Sequence, residues 1–215
     1  MRKKLLMMFA MCCVAALNIV AQDNTWNLTL YHEYKPAVIR MTNGLVVKTP
    51  FANVFLKNAS LLFKRGEATM EATMNTIKTV DIGKHHFENI NNMLACEVDS
   101  ISLNKLYCVT LIDLDAYKTM LRNDVNITNL SIGDQLSYTT IDLTPVEGIP
   151  LPLIRKFYYL YNGEIFPVHE REITRRLPKD KKRMYKTVIS LEDFSWVDAA
   201  SLLKLLKVMT DEVSE

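Results

Sequence analysis

Met93-Leu94-Ala95-Cys96-Glu97-Val98, a polar turn over Ser100 to Asn104, and Leu106-Tyr107-Cys108-Val109-Thr110-Leu111 together decide the fold class. Each flank is a short run of apolar, β-branched and aromatic residues bounded by turn formers, which is the signature of a β-hairpin. If the turn centres on Ser102, residues whose numbers sum to 204 face each other, and Cys96 then stands opposite Cys108. Two outcomes stay open for that pair. An oxidising compartment favours a disulfide, whereas directly paired strand positions strain disulfide geometry and favour two buried free thiols.

Outward toward the N-terminus the same grammar repeats. Pro36–Met41 and Leu45–Thr49 flank Asn43-Gly44, a strong hairpin signal because both residues tolerate positive φ. Phe51–Leu56, Ser60–Lys64, Thr79–Ile82 and Phe87–Ile90 read as further short strands, with turns at Lys57-Asn58 and Arg65-Gly66. Glu67–Ile77 is ambiguous: its Ala, Met and Glu favour helix, its threonines and its position favour an extended chain.

On the C-terminal side, Leu114, Tyr117 and Leu121 fall at helical spacing within 113–121. Gln135 to Leu143 alternates like a strand, and Pro145, Gly148, Pro150 and Pro152 mark a linker or long loop. Phe157-Tyr158-Tyr159-Leu160-Tyr161, Asn162-Gly163 and Glu164-Ile165-Phe166 form a second Asn-Gly hairpin. Ser195 reads as a helix N-cap with Asp198 three residues on. Leu202, Leu203, Leu206, Met209 and Val213 then make one apolar helical stripe. The expectation is an α+β protein: a mostly antiparallel β-rich body with a C-terminal hairpin and amphipathic helix.

The first 21 residues carry an address. Arg2, Lys3 and Lys4 precede the apolar run Leu5–Ala16, and Ile19-Val20-Ala21 ends in a small residue. That is the layout of a secretory signal peptide. The run is shorter than the roughly 20 residues a membrane span needs. The expected organisation is a signal peptide (1–21), a β-rich domain (22–146) and a C-terminal hairpin, basic segment and helix (147–215). The last two are read either as separate domains or as one. Losing three of the 26 basic residues takes the formal charge from +2 to −1, so overall basicity predicts nothing about partners. No later segment is apolar enough to span a membrane.

Motifs for chemistry are sparse. His32, His85, His86 and His169 lack metal-ligand spacing; His85 and His86 are adjacent and point to opposite faces of a strand, with Asp81 and Glu88 able to approach one of them. Asp113-Leu114-Asp115 has no calcium-loop glycine, and there is no Gly-x-Ser-x-Gly or phosphate-binding glycine loop. No catalytic residue, metal or cofactor is predicted.

The strongest charge feature is the stretch 171–186. There Arg171, Arg175, Arg176, Lys179, Lys181, Lys182, Arg183 and Lys186 oppose only Glu172 and Asp180. A solvated loop and helix end is its plain interpretation. Its functional interpretation is a patch for anionic headgroups, lipopolysaccharide phosphates or an acidic protein face. The binding candidates are Arg175, Arg176, Lys179, Lys181, Lys182 and Arg183, with Tyr158 and Tyr159 on the aromatic hairpin.

Leu106-Tyr107, Tyr158-Tyr159 with Asn162-Gly163, Leu177-Pro178-Lys179 and Ser201-Leu202-Leu203 give the chain a resemblance. In this order it resembles exported, functionally uncharacterised envelope proteins of Gram-negative bacteria. The resemblance implies an envelope location and an interaction role, and brings no catalytic residues. The expected function is a non-enzymatic exported protein, periplasmic or outer-membrane-associated, that binds an envelope protein or an anionic envelope surface and no nucleic acid. The alternative is a periplasmic enzyme or small-ligand carrier whose pocket is assembled from distant residues.

Overall fold

Tight turns leave most of this chain no option but antiparallel pairing. The computed structural model describes residues 24–123 and 149–210, which contain eleven strands and four α-helices. The strands are β1 (Asn24–Thr25), β2 (Lys35–Met41), β3 (Val46–Phe55), β4 (Ser60–Arg65), β5 (Ala68–Glu71) and β6 (Ile77–Ile82). They continue with β7 (His85–Ile90), β8 (Met93–Ile101), β9 (Asn104–Ile112), β10 (Leu151–Tyr161) and β11 (Glu164–Pro167). The helices are α1 (Leu114–Asn123), α2 (Glu170–Arg176), α3 (Lys182–Ile189) and α4 (Ala199–Thr210). The fold is α+β and β-rich. The segment 1–21 expected as a signal peptide, the strand expected at 135–143, Pro145, Gly148 and Val213 lie outside the described residues.

All strand neighbours are antiparallel, in the order β1-β10-β9-β8-β7-β6-β2-β3-β4-β5, with β11 paired to β10. Two meanders, β2–β5 and β6–β10, meet where β6 lies along β2. The ambiguous 67–77 stretch resolves into both readings: β5, then a single 3-10 turn at Met74–Thr76 that returns the chain to β6. β10 pairs with β9 at eight positions, so the aromatic hairpin continues the same sheet.

Two turn readings change and one holds. The first hairpin uses a three-residue loop closed by Met41 N–H donating to Leu45 O, and only Gly44 takes positive φ (86°), so Asn43 does not. The second, Asn162-Gly163, does put both residues at positive φ (51° and 83°), the two-residue turn whose twist suits a hairpin. The break expected around Pro50 is absent, because β3 runs from Val46 to Phe55. Between the pairs Ala37↔Thr49 and Lys35↔Ala52, Pro50 and Phe51 oppose the single residue Pro36. Pro50 therefore occupies a β-bulge, where its missing N–H leaves no ladder bond unmade.

The sheet also curls. Leu94 N–H donates to Ala59 O and Ile112 N–H to Leu56 O, each at 2.8 Å, so the β3–β4 turn reaches β8 and β9, which lie about five places away in the strand order. This curl encloses the first apolar cluster, in which Val54, Leu61, Val80, Phe87, Leu94, Tyr107 and Val109 are buried. A second cluster joins Leu106, Cys108, Phe157 and Tyr159 of β9–β10 to Ile173, Tyr185, Leu202, Leu205, Leu206 and Met209 of the helices. A third sits under α1, around Tyr117, Leu121 and Leu151.

α4 is positioned by its cap and its stripe. Asp198, rather than Ser195, is the cap: its carboxylate accepts from Ser201 N–H (2.8 Å) and Ser201 Oγ–H (2.9 Å). The buried stripe is Leu202, Leu205, Leu206 and Met209, with Leu203 only half-buried. Two tyrosines of β10 reach across to its backbone. Tyr159 donates to Leu202 O at 2.6 Å and Tyr161 to Met209 O at 3.0 Å.

Candidate anion-binding face

The stretch 171–186, expected as a loop and helix end, is largely helical, and helical periodicity sorts its cations into three groups. In α2 the acids Glu170 and Glu172 stand in the first turn and Arg175 and Arg176 in the last, the arrangement a helix dipole favours. Glu172 accepts from both Arg175 and Arg176. Arg176 also bonds Glu164 at 3.2 Å and lies over the Phe166 ring, 4.1 Å from its centroid. These contacts hold the Glu172 carboxyl below its ordinary range, the Arg176 hydrogen bond first among them. Arg175 and Arg176 are thus engaged in tying α2 to itself and to β11.

Lys181 forms a group alone. It is 6% exposed and lies on the buried side of α3 with Tyr185 one turn on, so it is not a surface cation.

The third group faces solvent. Lys179, Lys182, Arg183 and Lys186, with Thr187 and Ser190, line an open depression of about 690 Å³. On a 3.6-residue helix these positions lie opposite Lys181, Tyr185 and Val188. None of the four cations has an ion-pair partner among the described residues, and no carboxylate shares the lining. The two hydroxyls donate to the helix backbone, Thr187 to Arg183 O and Ser190 to Thr187 O, leaving their oxygens free to accept. Only Lys179, Lys182 and Arg183 of the expected cations meet here. Lys186 completes the face, and its signal was the 179–182–183–186 spacing rather than local charge density.

The aromatic side chains of the hairpin offer no surface. Tyr158 and Tyr159 are both buried, and as neighbours on a strand they point to opposite sides: Tyr158 joins the first cluster, Tyr159 the second. Phe157 and Tyr161 are buried as well. Tyr158 packs inside the curled sheet and the other three rings pack at the sheet–helix interface, so none is available to a partner.

Two polar constellations involve the adjacent histidines. His86 Nδ1 lies 2.6 Å from Asp81 Oδ1, and Arg40 holds the other Asp81 oxygen at 2.5 Å. Burial pushes the Asp81 carboxyl up, but the bonds from His86 and Arg40 outweigh it and leave it below its ordinary range. On the other face, His85 Nδ1 lies 2.8 Å from the Tyr31 hydroxyl, with Lys35 Nζ 4.0 Å from the Tyr31 ring centroid. Burial, then Lys84 and Lys35, lower the His85 pKa, while burial raises that of Tyr31. Tyr31 is therefore the donor and neutral His85 the acceptor. Opposite orientation of the two histidines agrees with the strand alternation read from sequence, and of Asp81 and Glu88 it is Asp81 that bonds one of them. Among the described residues no three His, Cys, Asp or Glu side chains converge on one point that could hold a metal.

Comparisons with protein-family models, curated proteins and solved structures find no match to this chain.

Proposed function

We propose that this protein is an exported, non-enzymatic envelope module that docks on an anionic surface through the outer face of α3. The observation that carries this is the set of four unpaired cations, Lys179, Lys182, Arg183 and Lys186, around a depression free of carboxylates. A basic residue near an anionic headgroup layer contributes about 1 kcal/mol, screened within about a Debye length by salt. Four together are enough for reversible attachment. The basic n-region and apolar run at the N-terminus support export, and among the described residues no helix is long and apolar enough to cross a membrane.

The test is sedimentation with vesicles. Wild-type protein should pellet with mixed phosphatidylglycerol–phosphatidylcholine vesicles, lose binding as salt rises, and ignore phosphatidylcholine alone. The triple variant Lys182→Glu/Arg183→Glu/Lys186→Glu should stay in the supernatant with an unchanged melting temperature. Lys181 is left intact because reversing a buried position would unfold α3. Equal pelleting of the triple variant, or binding indifferent to salt, would overturn the reading.

A further inference from the structure

Another depression, among the described residues, lies far from α3 in sequence and has a different chemistry. Three turns build it. The β3–β4 turn supplies Lys57 and Asn58, the link from β5 to β6 supplies Thr73, Met74 and Asn75, and the β7–β8 turn supplies Asn91 and Asn92; Leu111 of β9 and Met93 complete it. Its volume is about 650 Å³, within the small-ligand range, and like the α3 depression it is open to solvent.

The frame is fixed by hydrogen bonds that do not use up its polar lining. Asn58 donates to Glu71 Oε1 at 2.8 Å, and Asn89 pins the 3-10 turn to β7 by donating to Met74 O (2.6 Å) and Ile77 O (2.8 Å). Left over are the side-chain amides of Asn75, Asn91 and Asn92 and the Thr73 hydroxyl, none with a hydrogen-bond partner among the described residues. Ser60, in the same lining, is 2% exposed and its Oγ has no partner. That Oγ is closed off from solvent, so the polar groups open to a ligand are the asparagine amides and the Thr73 hydroxyl. The Asn91-Asn92 turn makes the same point. Both residues sit at positive φ (53° and 63°), a two-residue turn in which glycine is the easier choice for the second position. Asparagine there keeps an amide on the rim at the expense of backbone ease.

The lining selects the ligand class. Lys57 and Glu71 balance, so the site has no net charge and does not select an ion. Each free amide offers a donor and an acceptor side by side, which matches the dual character of sugar hydroxyls and acetamido groups. Met74, Met93 and Leu111 supply an adaptable apolar floor for the C–H face of a sugar ring. The free hydrogen-bonding side chains sit at turns, while β5, which supplies Glu71, is an open edge of the sheet, so an extended peptide is the competing ligand class. We infer that the cleft between the β3–β4 turn, the 3-10 turn and the β7–β8 turn binds a neutral, hydroxyl-rich oligosaccharide through Asn75, Asn91 and Asn92. This does not depend on the α3 face.

The probe is an array of neutral oligosaccharides of two to six units, N-acetylated and not, with anionic glycans and extended peptides as competing classes. Asn92→Gly preserves the turn while removing its amide, and Asn75→Ala removes a second amide from an exposed position. Wild-type protein should retain a neutral glycan, and the Asn75→Ala/Asn92→Gly variant should bind it about tenfold or more weaker, as two lost hydrogen bonds imply, at an unlowered melting temperature. Three results would overturn the inference: no neutral glycan retained, equal retention by the double variant, or retention only of anionic glycans or peptides. A triple charge reversal on α3 should leave glycan retention unchanged, which separates failure of one site from failure of the other.

Discussion

Cys96 on β8 and Cys108 on β9 face each other directly, and both remain free, buried thiols. Their pairing depends on a single irregularity. The two-residue turn Ser102-Leu103 sets Ile101 opposite Asn104, a register that would place Cys108 opposite Glu97. A bulge at Val98, between Glu97 and Asp99, shifts the register by one and brings Cys96 to Cys108. The pair lies in an unbroken cross-strand row, Ile39–Val80–Phe87–Cys96–Cys108–Phe157, that passes from the first apolar cluster to the second.

Burial pushes the Cys96 thiol up to about 12 and the Cys108 thiol up to about 11, so neither forms an appreciable thiolate near neutrality. In protein beginning at Gln22, which holds only Cys96 and Cys108, iodoacetamide should leave the folded chain unlabelled at pH 7.5 and add two alkyl groups after unfolding without reductant. A protein that takes up two groups only after reduction would show a bridge instead.

Helix α4 should loosen when its tyrosine tethers are cut. Tyr159→Phe leaves the Leu202 carbonyl without its 2.6 Å donor in a fully buried site, at a cost of about 1–2 kcal/mol. Tyr161→Phe should act in the same sense through Met209 O. Denaturant melts of both single variants and the double variant measure this; a Tyr159→Phe midpoint equal to wild type would contradict the tether.

Stability should fall on mild acidification because of His85. Its folded-state pKa lies below the ordinary 6.5, so the unfolded chain binds the proton more readily. The contribution is complete above pH 6.5 and is lost as pH falls through the folded-state value. Protonation also removes the acceptor that the Tyr31 hydroxyl uses. Melting temperatures from pH 8 down to pH 5 should decline in wild type and decline less in His85→Asn, which keeps an acceptor but no titrating ring. Parallel curves would dismiss the linkage.

Asp198 should matter more than Ser195 to the last helix. Burial favours its neutral form, but hydrogen bonds from Ser201 and the Ala200 backbone prevail and hold the carboxyl below its ordinary range. Its contribution is therefore present above the ordinary carboxylate pKa and disappears as pH drops through the lowered value. Asp198→Ala should cost about 1 kcal/mol at pH 7 and little at strongly acidic pH, as expected for a lost N-cap. Ser195→Ala should cost less; the reverse ranking by thermal melts would restore Ser195 as the cap.

Local grammar was enough for much of this molecule. Alternation of apolar residues and Asn-Gly or polar turns located the hairpins, since side-chain period and turn geometry are properties of a few neighbouring residues. The α+β class, the Asn162-Gly163 turn and an apolar stripe on the last helix follow from such short-range rules. Opposite orientation of His85 and His86 follows from strand period alone.

Long-range packing decided the rest. Pro50 stops a strand when read locally, but a bulge opposite Pro36 accommodates it. Cys96 meets Cys108 only because Val98 bulges. The run of cations was visible as charge, yet which of them face solvent depends on the helical phase of α3 and on what α3 packs against. That phase buries Lys181, Glu172 engages Arg175 and Arg176, and Lys179, Lys182, Arg183 and Lys186 are left together. Asn58, Asn75, Asn91 and Asn92 are separate turn residues in the chain and become one cleft only when the sheet curls. By itself the sequence determined most strands and turns, because these rest on contacts between near neighbours. Which polar groups stand free and share a surface was decided by tertiary structure, because it depends on the curl of the sheet and the docking of the helices.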